Sequence, residues 1–161
     1  ALVLKVLLNQ MPTAIKSDKI NLSSEIQTKK LASKISSKLK KKDILFLQGE
    51  MGVGKTTFVK YLINAMQKKN NLNLTEITSP TFNILNEYKV KQMKINHYDL
   101  YRLNSEDELK NLDLFSDLTN TITLVEWPEI INTKPKNLIE LEFSYDENYK
   151  NRSVLIKGLN L

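Results

Sequence analysis

The stretch Gly49-Glu50-Met51-Gly52-Val53-Gly54-Lys55-Thr56 decides the fold of this chain, and it fits the G-x-x-x-x-G-K-[ST] phosphate-loop pattern in full. Three of the chain's four glycines lie inside it. Glycines let the backbone curl until consecutive N–H groups point at phosphate oxygens. Lys55 adds a point charge at the β and γ phosphates, and the Thr56 hydroxyl is suited to ligate Mg²⁺. A helix opening at this point turns its positive end to the anion. The flanks supply the context that the pattern requires. Ile44 to Leu47 reads as a short apolar strand, and Phe58, Val59, Leu62, Ile63 and Met66 recur at helical spacing.

Upstream, Ser24 and Gln27 have capping-box spacing, and Ile26, Leu31, Ala32, Ile35 and Leu39 approximate one helical face that ends at Lys40, Lys41 and Lys42. Downstream, Asn83 to Val90 and Lys94 to Asp99 read as strands joined at Lys91–Gln92. Ser105 with Glu108 opens a helix expected to run to about Leu114. Thr121 to Val125 is a continuous apolar and threonine run, the pattern of a strand buried on both faces. Leu138 to Tyr145 largely alternates, Asp146 to Asn151 turn, and Val154 to Ile156 return as a hairpin. The expected fold is therefore α/β. It is a P-loop NTPase-like three-layer arrangement with a mixed, mostly parallel sheet and a C-terminal antiparallel hairpin.

Residues 20–161 are expected to form a single P-loop ATPase domain, with residues 1–19 an N-terminal extension outside its core. The opening ALVLKVLLNQ holds seven apolar residues. A membrane span needs about 20, and a signal peptide needs a small-residue cleavage site. An upstream extension and an edge strand both remain open for it. No membrane association and a cytoplasmic location are expected.

Composition narrows the chemistry further. The chain has 161 residues, 41% of them hydrophobic, and no cysteine, which excludes disulfides, thiol nucleophiles and thiolate metal sites. Its one histidine, His97, excludes a multi-histidine zinc centre. The net charge is +6, compatible with a polyanionic partner or with a solvated lysine coat. The only arginines are Arg102 and Arg152. A nucleotide kinase clamping two phosphorylated substrates would need more of them.

A phosphate loop also requires an acid at the end of a neighbouring strand. Glu126 ends Ile122-Thr123-Leu124-Val125 in the hydrophobic-then-acidic form of a Walker B strand, and Asp99 ends Ile95-Asn96-His97-Tyr98. Trp127 and Pro128 make a bulky turn directly after Glu126. His97 alternates with Asp99 on one strand face and suits either a structural or a catalytic role. No N-K-x-D guanine-reading segment occurs, which favours ATP over GTP. What remains is a minimal ATPase, with Lys55, Asp99 and Glu126 as the candidate catalytic residues.

Four segments together, GEMGVGKTT (Gly49–Thr57), SPTF (Ser79–Phe82), HYDLYR (His97–Arg102) and VEWPE (Val125–Glu129), resemble the TsaE family, formerly YjeE. The resemblance runs from about Ile20 to Gly158. It implies an Mg²⁺-dependent ATPase that acts on TsaB and TsaD in making threonylcarbamoyladenosine at position 37 of tRNA, with tRNA contacted indirectly or weakly. It further implies that Gly52, Val53, Gly54, Lys55, Thr56 and Thr57 wrap the ATP phosphates, with Thr56 and Glu126 as metal-associated residues. Asp99 would contact the metal–nucleotide group or the attacking water. Ser79–Phe82 would be a mobile loop beside the γ-phosphate, Thr28 would lie near adenine, and Arg152 falls where members carry an arginine. A nucleotide-gated binding protein and a P-loop phosphotransferase acting on a small molecule are the alternatives.

Overall fold

Strand β2 (Ile44–Gln48) is apolar at its first four positions and lies in the middle of the sheet, where both of its faces are covered. The computed structural model describes residues 18–161, so the expectations for residues 1–10 lie outside the described residues. Around β2 stand β1 (Lys19–Asn21), β3 (Leu85–Val90), β4 (Met93–Asp99), β5 (Thr121–Glu126), β6 (Leu138–Tyr145) and β7 (Arg152–Lys157). The spatial order is β1-β7-β6-β2-β5-β4-β3. The four central strands β6, β2, β5 and β4 are parallel, while β3 on one side and β7 and β1 on the other pair antiparallel. This is the mixed sheet with a C-terminal hairpin that the pattern predicts. Strand β1 takes in Lys19, which pairs with Leu155 of β7.

Helices α1 (Glu25–Lys38) and α2 (Lys55–Lys69) cover one face. Leu45, Leu47, Ile122, Leu124, Ile139 and Leu141 of the sheet meet Leu31, Ile35, Phe58, Leu62 and Ile63 of the helices there. The opposite face buries Ile44, Phe46, Tyr98 and Val125 under Leu100, Leu109, Leu114 and Phe115. Alternation within β2 therefore feeds both layers from one five-residue strand.

Ser24 caps α1 as a full capping box. Its Oγ accepts from Gln27 N–H at 3.3 Å, and Gln27 Oε1 accepts from Ser24 N–H at 2.9 Å. The buried face of α1 differs from the expected one at its start. Ile26 is 65% exposed, whereas Ile35 is 0% exposed. The two are nine residues apart, two and a half turns at ~3.6 residues each, so they point in opposite directions. Thr28 and Ser36 occupy the buried positions instead.

The helix expected from Ser105 to Leu114 is shorter, with α3 spanning only Glu106–Lys110. Ser105 Oγ accepts from Glu108 N–H at 3.3 Å, but the Glu108 carboxylate returns to Asn104 N–H, so the reciprocal half of the box is displaced by one residue. Asn111 and Asp113 are poor helix formers, and Asp113 adopts φ 48°, which ends the helix and lets Leu114 and Phe115 reach the sheet through turns.

Truncating the two isoleucines of α1 separates the observed face from the expected one. Ile35→Ala should lower unfolding free energy by about 2–5 kcal/mol. Ile26→Ala should stay within about 0.5 kcal/mol of the parent. Urea denaturation of both variants measures the difference.

Candidate functional site

The carboxyl ends of β2, β5 and β4 meet where the phosphate loop begins, the usual ligand edge of an open α/β sheet. Gly49 leaves β2 with φ +145°, and a Cβ there would stand 2.8 Å from the Phe143 carbonyl oxygen. The sharp exit therefore needs glycine. Gly54 caps α2 at φ +112°, so the first-turn N–H groups of α2, which have no partners within the helix, open onto the loop.

A cleft of about 340 Å³ lies over this point, bounded by the loop, Ser79, Thr81, Asp99, Glu126, Trp127 and Arg152. Gly52, Gly54, Lys55, Thr56 and Thr57 all line it. Val53 does not. Its side chain is buried in the helix-side core, and its N–H donates to the Glu50 carbonyl at 3.2 Å. Thr28 lies outside the cleft as well, buried on α1 with its hydroxyl donating to the Ser24 carbonyl.

The Lys55 ammonium donates to the Gly49 carbonyl and sits 3.5 Å from the centre of the Trp127 ring. Burial pushes it below the usual lysine range, against the opposing pull of the Glu126, Glu129 and Asp99 carboxylates. Trp127 reaches this position because the chain turns at φ 57° directly after β5 and runs into a short 3-10 turn, Pro128–Ile130. The indole is thus a wall of the cleft, as its place after Glu126 suggests.

Glu126 is 2% exposed. The Thr56 hydroxyl donates to its carboxylate at 2.9 and 3.1 Å, and His97 Nε2 lies 2.6 Å from Oε2. Asp99 stands opposite Glu126 in the β4–β5 register. Its Oδ2 accepts from the Ser79 and Thr81 hydroxyls at 3.3 Å each, and its Oδ1 accepts from Tyr101 N–H at 3.0 Å. The expected loop Ser79–Phe82 is therefore tied to the strand-end acid through two hydroxyls.

Thr56 and Glu126 supply hard oxygen donors of the kind Mg²⁺ prefers. Among the described residues no group of three or more His, Asp or Glu forms a metal cage. An ion held by one hydroxyl and one carboxylate would complete its shell with phosphate and water, the usual arrangement for Mg²⁺. The donor set fits.

The contacts that brace this site escape sequence reasoning, although Arg152 itself is expected there. Tyr145 O–H donates to the Gly52 carbonyl at 2.8 Å and braces the loop from β6. The Arg152 guanidinium lies 5.9 Å from the Tyr145 ring and faces the cleft. Tyr101 packs on Trp127 with ring centres 4.8 Å apart. Arg102 is outside the cleft, its guanidinium 5.3 Å from the ring of Phe82, which is 84% exposed. Only long-range pairing places Tyr145, so no local signal marks it, whereas Tyr101 lies inside the HYDLYR segment and only its packing on Trp127 is unforeseen.

Comparison with known proteins bears on this geometry. A sequence model of the family described as "Threonylcarbamoyl adenosine biosynthesis protein TsaE" matches residues 22–154. A protein of Rickettsia felis named tRNA threonylcarbamoyladenosine biosynthesis protein TsaE is 41% identical over 83% of this chain and 77% of its own. A protein of the same name from Aquifex aeolicus is 40% identical over 79% of this chain and 87% of its own. The crystal structure of Bacillus subtilis YdiB superposes with a TM-score of 0.64 at 25% identity, covering 88% of this chain and 86% of that one. The chain belongs to the TsaE family of threonylcarbamoyladenosine biosynthesis proteins.

Proposed function

We propose that the protein is the ATP-binding and ATP-hydrolysing component of the tRNA threonylcarbamoyladenosine machinery, acting on TsaB and TsaD. The observation that carries the reading is the convergence of Lys55, Thr56, Asp99 and Glu126 on one cleft beside a complete phosphate loop. Family membership in threonylcarbamoyladenosine biosynthesis supplies the pathway. The expected ATPase domain, residues 20–161, is retained in this reading and takes in Lys19, which pairs in β1. A cytoplasmic location is part of this reading; among the described residues no helix is long and apolar enough to cross a membrane.

Each residue has an assigned task. The backbone of Gly52 to Thr57 wraps the phosphates, with Val53 contributing through main chain alone. Lys55 exchanges the Gly49 carbonyl for phosphate oxygens, where its charge is better compensated. Thr56 and Glu126 would hold Mg²⁺, which when bound would neutralise phosphate charge. Asp99 orients the attacking water, and Arg152 contributes positive charge from the hairpin side. Contact with tRNA is indirect or weak. The exposed Lys29, Lys30, Lys34, Lys60 and Lys68 on the helical layer form no ion pair among the described residues and supply the charge for it.

Arg102 packs on Phe82 outside the cleft, and Arg152, on the hairpin side, is the arginine that lines it. In this reading hydrolysis by the protein alone is slow, and docking to TsaB–TsaD orders Ser79–Phe82 and Asp99–Arg102 over the γ-phosphate. A supplied arginine raises such rates by ~10³–10⁵.

ATPase assays with and without TsaB–TsaD and tRNA test the whole reading. Stimulation by the partners supports it. Unstimulated turnover favours a nucleotide-gated binding protein, and ADP release driven by a small molecule favours a phosphotransferase.

Three sets of variants test its parts. Lys55→Ala should lose roughly 1.5–3 kcal/mol of ATP binding in calorimetry, and unchanged affinity in a folded variant removes the phosphate-loop assignment. Glu126→Gln and Asp99→Asn should each cut partner-stimulated hydrolysis by on the order of 10²-fold while binding nucleotide. Parent rates in both would strip these acids of their roles. Arg102→Ala should keep basal ATP affinity and lose partner stimulation; the reverse pattern would make Arg102 a nucleotide ligand.

A further inference from the structure

His97 is 0% exposed in the middle of β4, paired with Leu124 of β5, and flanked on its face by Ile95 and Asp99. A buried polar ring is costly unless its nitrogens find partners. Here only one does. Nε2 lies 2.6 Å from Glu126 Oε2, while Nδ1 has no hydrogen-bond partner among the described residues. An ionised carboxylate only accepts, so Nε2 carries the hydrogen and donates it. Glu126 is thus the ring's only hydrogen-bond partner among the described residues, and an apolar side chain of similar size would fill the same space without an orphaned nitrogen. The histidine's polarity answers to Glu126 rather than to the core.

The same carboxylate is held from the other side by the Thr56 hydroxyl at 2.9 and 3.1 Å. Thr56–Glu126–His97 is a chain of hydrogen bonds running from the first turn of α2 through β5 to β4. We infer that His97 is a positioning residue. By donating to Oε2 it fixes the rotamer of Glu126, so that the carboxylate stays aimed at Thr56 and at the ion the two residues would share. Partners of this kind orient metal-binding side chains, and their loss typically costs 10–100-fold in metal affinity. The inference rests on the assignment of Thr56 and Glu126 to Mg²⁺.

The test compares the affinity for a non-hydrolysable ATP analogue with and without Mg²⁺, by calorimetry, in His97→Leu, His97→Asn and His97→Gln. Glutamine carries its amide N–H at about the reach of imidazole Nε2, and asparagine is polar but too short. The expected result is a wild-type affinity that Mg²⁺ strengthens, a strengthening reduced by about 10–100-fold in the leucine and asparagine variants, and one largely restored in the glutamine variant. Affinity without Mg²⁺ should be the same in all four. In a Glu126→Gln background, His97→Leu should cause no further loss. If His97→Leu does not fold, the contrast between glutamine and asparagine carries the test alone. Wild-type Mg²⁺ dependence in the leucine or asparagine variant, or equal losses in asparagine and glutamine, overturns the inference. A wild-type protein whose affinity ignores Mg²⁺ overturns the metal assignment itself.

Discussion

A carboxylate buried at the end of a fully buried strand is the constraint around which the rest of the molecule is arranged. Every residue of β5 is buried, and Glu126 is the last of them. A charge there is tolerable only if it is hydrogen-bonded and balanced. Those partners come from two separate elements, α2 and β4. Thr56 reaches it from α2, His97 from β4, and the Lys55 ammonium lies close enough to feel its field. Meeting that demand places β5 between β2 and β4 and α2 over the strand ends. The phosphate loop then has little freedom in where it can sit.

The loop itself is braced by close contact rather than by charge. Gly49 passes within contact distance of the Phe143 backbone, and Tyr145 donates to the Gly52 carbonyl. Both supports come from β6, which runs parallel to β2 on the side away from β5. The ring of Phe143 in turn packs edge-on against Phe58 of α2, with centroids 5.8 Å apart. The same strand therefore fixes the loop's beginning, its middle and the helix that follows.

Residues whose signal is local were readable in the sequence. The phosphate-loop glycines, the Ser24–Gln27 box and the apolar run of β5 each depend on short spacing, and each stands where its pattern implies. Pairings across the sheet were not readable. Nothing near Tyr145 in the chain announces a contact with Gly52, since 93 positions separate them. Ile26 misled because apolar character alone does not fix an angle around a helix, while Thr28 and Ser36 fill the buried face with small polar groups. The helix after Ser105 misled because a start signal carries no information about length, and Asn111 and Asp113 decide where it stops. His97 was open to two roles from sequence, because its bond to Glu126 crosses between strands to a residue 29 positions away and leaves no local pattern.

The two strand-end acids, equivalent by pattern, differ in how they are held. Glu126 accepts from groups on rigid elements, at 2.6 to 3.1 Å. Asp99 accepts at 3.3 Å from two hydroxyls that belong to a loop, and at 3.0 Å from the amide of Tyr101. Hydrogen bonds at the longer distance are weaker, and loops rearrange at lower cost than packed strands and helices. In the proposed reading this difference divides the labour. Glu126 stays fixed for a task that needs one geometry, holding an ion beside Thr56. Asp99 is the acid whose partners change when Ser79–Phe82 moves, so loop position is converted into the direction that its carboxylate faces. The exposed ring of Phe82, at the end of that same loop and under Arg102, is where an arriving surface would take hold of it. Loop and acid are bonded to each other, so in the proposed reading a surface that seats Phe82 would also reset Asp99, and hydrolysis would depend on docking without any change at Glu126.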